Sequence, residues 1–216
     1  MEEALLGRSD AENLGGEGLT IEPELRAFHE ACDYEKLVNL AIASYGQELL
    51  RYSLGLLRSR QDADEVFSQT CLDIWGGLEK FKWKSTFRTW AYAICHNNCV
   101  RHLREKQKWR MARLDEVPQI SKLVARVRTS TKPYLLTDLK SRVSILREKL
   151  TLEDQALLNL RIDRGMSWQD VALVMLGNKD DHDQDTIERE SRACRKRFER
   201  TKAKLKKLAD AAGLLD

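Results

Sequence analysis

The chain has 216 residues, enough for one large domain or two small ones, with 42% hydrophobic and 33% charged residues and three prolines. That balance is globular and helix-prone, and it excludes a disordered or fibrous chain. The formal net charge of +3 conceals a segregation. Residues 1–24 carry seven acids and one base, whereas 186–207 carry ten bases and three acids. Asymmetry of this kind points to a polyanionic partner more directly than the overall isoelectric point does. No apolar run approaches the roughly 20 residues that span a bilayer. The acidic start lacks the basic-then-apolar order of a signal peptide, so a cytoplasmic location is expected. Five cysteines (Cys32, Cys71, Cys95, Cys99 and Cys194) are odd in number and fall on apolar helix faces, which fits reduced thiols.

In chain order, residues 1–22 are acidic, contain GGEG and lack periodicity; a mobile tail is expected. A helix opens near Pro23, a residue favoured in a first turn. Tyr34–Leu57 repeats apolar residues at helical spacing, with Gly46 as a soft spot. At SRQDADEV the chain turns and restarts, with Asp62 as the expected N-cap and Asp64 and Glu65 in the first turn, where the helix dipole favours anions. Gly76-Gly77 weakens the end of that helix.

The stretch Phe81–Arg110, FKWKSTFRTWAYAICHNNCVRHLREKQKWR, follows. Phe81, Trp83, Ser85, Thr86 and Phe87 precede a helix expected from about Trp90, which turns strongly basic. Nine Lys or Arg and one acid, Glu105, lie between Lys82 and Arg113. Aromatics interleaved with cations suit unstacked bases on a charged backbone, although a solvated basic helix face has the same composition. Residues 23–110 read as one helical domain.

Residues 111–138 hold Pro118, Pro133 and the cluster TSTK, and 28 residues is too long for an ordinary connection within a domain. They read as a flexible linker to a second domain, 139–216. There, Thr151-Leu152-Glu153-Asp154 opens a helix through Ile162, Asp163-Arg164-Gly165 makes a turn, and Ser167 with Asp170 forms a capping box for a helix over Trp168–Leu176. A polar loop leads to a basic helix from about Asp185. On it, Ile187, Ser191, Cys194, Phe198, Thr201, Leu205, Leu208 and Ala212 form a narrow apolar seam with the bases mainly off it. Two short helices, a glycine turn and a basic helix make a helix-turn-helix layout. The fold class is all-α, with two helical domains.

Taken in order, DADEV (62–66), FRTWAYAICHNN (87–98) with Arg104 just beyond, and LTLEDQALLNLRIDRGMSWQDVALVMLG (150–177) resemble a bacterial sigma factor of the extracytoplasmic-function group over residues 34–212. The resemblance implies a region 2-like domain and a region 4-like domain. It implies that Phe81, Lys84, Ser85, Thr86 and Asn97 hold a base flipped from the −10 promoter element, while Trp90, Arg101 and Arg104 support strand opening and phosphate contact. It places Arg189, Arg192, Arg195 and Lys196 in the major groove of the −35 element. It sets Asp62, Asp64, Glu65 and Gln69 against core RNA polymerase, and threads the linker near the RNA exit path. The physical chemistry suits those roles: asparagine offers a donor and an acceptor to a base edge, and arginine pairs bidentately with guanine.

Two departures from the family pattern stand out. Where a glutamine and then a glutamate usually follow the acidic pair, this chain has Ser68 and Gln69, with Thr70 next. Phosphorylating Ser68 or Thr70 would restore about −1.5 to −2 charges to that face, which raises a Ser/Thr kinase as a partner beside an anti-sigma factor. The second departure is the acidic loop Asn178–Gln184 ahead of the basic helix, where the family is usually tight.

An EF-hand loop beginning at Asp181 needs glycine at its sixth position and glutamate at its twelfth, where Thr186 and Arg192 stand. Cys95, His96, Cys99 and His102 share a helix without a second ligand pair at zinc spacing. No metal site and no cofactor are therefore expected, and no catalytic motif points to an enzyme. The competing function is a conventional helix-turn-helix regulator acting on duplex DNA, which leaves the stretch Phe81–Arg110 unexplained.

Overall fold

The computed structural model describes residues 21–104, 126–127, 145–177 and 182–214. Every secondary-structure element among them is helical. The tail before Ile21, nearly all of the linker and the start of the acidic loop lie outside the described residues. Two compact units are present. One contains 21–104, 126–127, 173–177 and 182; the other contains 145–172 and 183–214.

The first unit is built on four helices. Glu22, counted with the acidic tail above, is the first residue of α1 (Glu22–Glu30), which has Pro23 in its first turn. Asp33 caps α2 (Tyr34–Leu57) by accepting the Lys36 N–H at 3.2 Å. That helix ends at Arg58, whose φ of 56° makes a left-handed stop. α3 runs over Arg60–Gly77 and is capped by Ser59, whose Oγ accepts the Asp62 N–H at 3.2 Å. The cap is thus three residues before the expected Asp62: Ser59 takes the extended backbone a cap needs, with φ −124° and ψ 122°. Asp62 is left inside the first turn. A 3₁₀ turn at Leu78–Lys80 leads to α4 (Phe87–Arg104), which begins three residues before the expected Trp90.

Packing explains two glycines. A Cβ on Gly77 would lie 2.9 Å from the Trp90 ring, so its bare backbone lets the indole close over the end of α3. Gly46, expected as a soft spot, admits the Val127 side chain, which would be 3.0 Å from an added Cβ. The core between α2, α3 and α4 holds Tyr52, Phe67, Phe87 and Tyr92, all essentially without solvent exposure. Within it the Tyr52 hydroxyl and His96 Nδ1 are 2.8 Å apart. Arg88 donates to both carboxylate oxygens of Glu48 at 2.7 and 2.9 Å, with its guanidinium over Tyr92. That carboxylate raises the Arg88 pKa and keeps its charge fixed. Among the cysteines only Cys32 is exposed.

In the second unit, Thr151 caps α5 (Leu152–Leu158), which opens into a wider turn at Asn159–Asp163 where a continuous helix through Ile162 was expected. Gly165, at φ 63°, sits in the turn to α6 (Trp168–Leu176), of which residues 168–172 fall in this unit. The Ser167–Asp170 capping box is formed: Ser167 accepts the Asp170 N–H at 3.1 Å and donates to its carboxylate at 2.6 Å. Asp183 caps α7 (Gln184–Ala211). Ser191, Cys194, Phe198, Thr201 and Leu205 of the seam are buried, joined by Ala209, whereas Ala212 is exposed. Arg197 ties α7 to the start of α5, donating to Asp154 at 2.6 Å, Glu153 at 2.8 Å and Thr151 at 3.2 Å.

Partial burial alone would raise the Asp154 pKa, but the Arg197 and Thr151 bonds outweigh it and hold the carboxyl below its ordinary 3.8. A carboxyl depressed in the folded state contributes stability above its unfolded pKa and loses it as pH falls through the folded value. Asp154→Asn is therefore expected to lower the thermal midpoint at neutral pH, with the gap to wild type closing as pH drops below 3.8. A gap that stays constant from about pH 6 to about pH 2.5 in circular dichroism melts would contradict this.

Candidate nucleic-acid interface

The loop between Leu78 and Phe87 is held by α1. Glu22 Oε2 accepts the Phe87 N–H at 2.7 Å, and Oε1 accepts the Arg88 N–H at 3.1 Å and the Tyr45 hydroxyl at 3.1 Å. A carboxylate 65 residues away thus satisfies two of the four amides that a helix start leaves without intrahelical partners. Thr86 adds a local cap, its Oγ1 accepting the Thr89 N–H at 3.1 Å. His29 Nε2 lies 2.9 Å from the Leu78 carbonyl oxygen, and its ring meets Phe81 and Trp83 edge-on. Arg26 stands over the Trp83 ring at 5.8 Å.

This arrangement changes the role of the aromatics. Phe81 and Trp90 stack on each other at 4.6 Å, with Phe87 edge-on to both. Phe81 is 4% and Trp90 7% exposed, so their faces are spent on the core and neither presents a platform for a base. Trp83 is the half-buried member, held in left-handed backbone at φ 56°. That conformation costs a bulky residue about 1–2 kcal/mol, which the rings of His29 and Phe81 and the cation of Arg26 offset. Of the other residues expected at the −10 element, Lys84, Thr86, Arg101 and Arg104 are exposed, and Ser85 and Asn97 are half-buried. The two arginines sit a helix length from the loop, roughly 20 Å along α4.

Acids face the basic end of α4. Asp73 on α3 accepts from Gln69 at 2.7 Å and from the buried Asn98 at 2.8 Å, with Arg101 at 3.7 Å. Asn98 in turn accepts from Arg101 at 2.9 Å, which aims the guanidinium. Nearer the start of α3, Asp64 receives Arg60 at 3.0 Å, and Asp62 lies 3.3 Å from His102. Asp62, Asp64, Glu65 and Gln69, expected at the polymerase, are all at least partly accessible. Ser68 and Thr70 are not. They are 2% and 0% exposed, and their hydroxyls donate back to the carbonyls of Asp64 at 2.7 Å and Val66 at 2.8 Å. Their chemistry is that of buried back-bonded helix residues, and a kinase cannot reach them while α3 is folded.

On α7, Arg189, Arg192, Arg195 and Lys196 are all exposed, off the buried seam. Arg195 and Arg161 both stand over the Trp168 ring, at 5.8 and 4.9 Å. Glu22, Asp73, Asn98, Arg197 and His102 were absent from the sequence-based set, because each acts through a partner distant in the chain.

Residues 41–110 match the Sigma-70 region 2 family. The chain is similar to RNA polymerase sigma factors. It is 26% identical over 133 residues to the RNA polymerase sigma factor YlaC of Bacillus subtilis, spanning 61% of this chain and 75% of that protein. It is 33% identical over 64 residues to the ECF RNA polymerase sigma factor SigG of Mycobacterium tuberculosis, spanning 30% of this chain and 17% of SigG. The matched region 2 segment contains α3, α4 and the loop between them, whereas α1, with Glu22, Arg26 and His29, and α7 lie outside it.

Removing the Glu22 cap is expected to loosen this segment. Glu22→Gln should lower stability by about 1–2 kcal/mol, with faster amide exchange at Phe87 and Arg88. Unchanged exchange at those two amides, measured by hydrogen–deuterium exchange, would show that the carboxylate is dispensable.

Proposed function

We propose that this chain is a transcription initiation factor that binds core RNA polymerase, recognises −35 and −10 promoter elements and promotes strand opening in the cytoplasm. The observation that carries the proposal is the pairing, inside a Sigma-70 region 2 match, of an acidic α3 with a basic, exposed end of α4. Sigma factors are not an enzyme class; the polymerase performs the chemistry. Among the described residues no helix is long and apolar enough to cross a membrane.

In this proposal Asp62, Asp64, Glu65 and Gln69 meet core polymerase. Lys84, Ser85, Thr86, Asn97, Arg101 and Arg104 engage the −10 element. Phe81 and Trp90 act from beneath by fixing the loop, and Trp83 replaces them as the aromatic nearest the surface. Extruding a base costs on the order of a few kcal/mol, and a cationic surface beside a fixed loop offsets part of that. The second unit acts as a helix-turn-helix domain, with Arg189, Arg192, Arg195 and Lys196 of α7 reading the −35 element. Support for that role is their common exposure on one basic helix.

Run-off transcription with core polymerase tests the proposal. The chain should convert core enzyme to promoter-dependent initiation, and Arg101→Ala with Arg104→Ala should reduce open-complex formation by tenfold or more, with a shallower salt dependence. Specific binding to duplex DNA without any response to core polymerase would favour the conventional regulator instead.

Control by phosphorylation of Ser68 or Thr70 is supported by the altered motif alone, and the burial of both hydroxyls weighs against it. Ser68→Ala and Thr70→Ala are expected to leave promoter activity in cells within about twofold of wild type, allowing for small packing effects. A loss of activity restored by Ser68→Asp or Thr70→Glu would reinstate the kinase.

A further inference from the structure

The first two turns of α3 and the last turn of α4 bring together three side chains whose chemistry polymerase contact does not exhaust. His102 is 2% exposed and Asp62 14%, with His102 Nε2 3.3 Å from Asp62 Oδ1. Glu65 is half-buried beside them, and one donor atom from each of the three lies within 4.8 Å of the others. Asp62 and Glu65 are three apart on α3 and so share a face; the imidazole comes from the facing helix. We propose that Asp62, Glu65 and His102 bind a divalent transition cation of the zinc class, and that this cation competes with core polymerase for the acidic start of α3.

The donor set selects the ion. One imidazole nitrogen with two carboxylates suits zinc or a similar first-row ion, whereas calcium and magnesium take all-oxygen shells. In a tetrahedral zinc site with bonds of about 2.0–2.2 Å, ligand atoms stand about 3.4 Å apart. The His102–Asp62 pair already has that spacing. With every separation within 4.8 Å, Glu65 has at most about 1.4 Å to close, within the reach of one side-chain rotation at a half-buried position. Three protein ligands without a thiolate leave the fourth position to water, so the ion exchanges and the fold does not depend on it. A tie between His102 and Asp62 that only joins the two helices would give the same apo geometry, and metal affinity separates the two.

The coupling rests on the function proposed above. A bound dication neutralises Asp62 and Glu65, two of the charges assigned to polymerase, and metal binding should weaken core binding.

Titrating zinc into the full chain by calorimetry should give one site of micromolar affinity, and cobalt in its place should give the intense visible bands of tetrahedral coordination. His102→Gln should lower zinc affinity at least tenfold. Since His102 is buried, Glu65→Gln provides a second test, with folding of both checked by circular dichroism. Core binding by wild type should weaken about tenfold with zinc and recover with a chelator, while His102→Gln binds core with no response to zinc. No stoichiometric zinc binding, or equal zinc binding by wild type and both variants, overturns the site. Zinc binding with unchanged core affinity overturns the coupling. A chain that binds zinc but never binds core polymerase overturns the proposed function and leaves the site standing.

Discussion

The carboxylate of Glu22 is the joint on which the first unit turns. It reaches from the first residue of α1 to the first amides of α4 and to Tyr45 of α2, so three helices meet at one group. Charge-assisted bonds to backbone amides are short and directional, and this one fixes where α4 can begin. Once α4 starts at Phe87, Phe87 and Trp90 close on Phe81, and the loop between them has few conformations left. Trp83 absorbs the remaining bend by taking a left-handed backbone, and α1 covers it with Arg26 and His29. Helix cap, aromatic core and loop strain are one constraint seen at three places.

The same helix pair divides its charges by position along its length. The start of α4 is tied down by an acid and buried through its rings. Its end carries Arg101 and Arg104 in solvent, with Asp73 and Asn98 orienting the first of them. A cation held at 3.7 Å from a carboxylate loses some of its freedom, a useful state for a group proposed to meet phosphates without first being ordered. The second unit uses a different economy: Arg197 turns inward to join α5 to α7, while its neighbours Arg195 and Lys196 stay out.

Much of this was legible in the sequence wherever the determinant is local. Tyr34–Leu57 and Trp168–Leu176 have the predicted ends because the stripe, the cap and the stop lie within a few residues of each other. The start of α3 was misplaced because Ser59 and Asp62 are both competent caps, and only backbone conformation decides between them. The start of α4 was misplaced because its strongest capping group is Glu22, on another helix. Composition also could not say whether the aromatics of Phe81–Trp90 face outward. Interleaved rings and cations fit a stacking surface, yet Phe81, Phe87 and Trp90 pack on one another, and of these rings and Trp83 only Trp83 reaches solvent beside the cations. The basic face of α7 was readable because a narrow seam on a long helix leaves the remaining positions no place but the outside.

The altered motif on α3 drew attention to Ser68, Gln69 and Thr70 as the place where charge had been lost. In the fold that charge is not simply missing. Gln69 donates to Asp73, and Thr70 accepts from Asn98 at 3.3 Å, so these side chains belong to the network that positions Arg101. A hydroxyl that is fully buried and bonded within its own helix can take a phosphate only after the helix opens, which makes it a poor input for a signal. The acids set against polymerase, Asp62, Asp64 and Glu65, lie about one turn earlier, where Asp62 already leans on His102. Among the described residues this is where two carboxylates of α3 stand beside an imidazole, so a ligand that alters the charge of the helix without unfolding it has a place to act there.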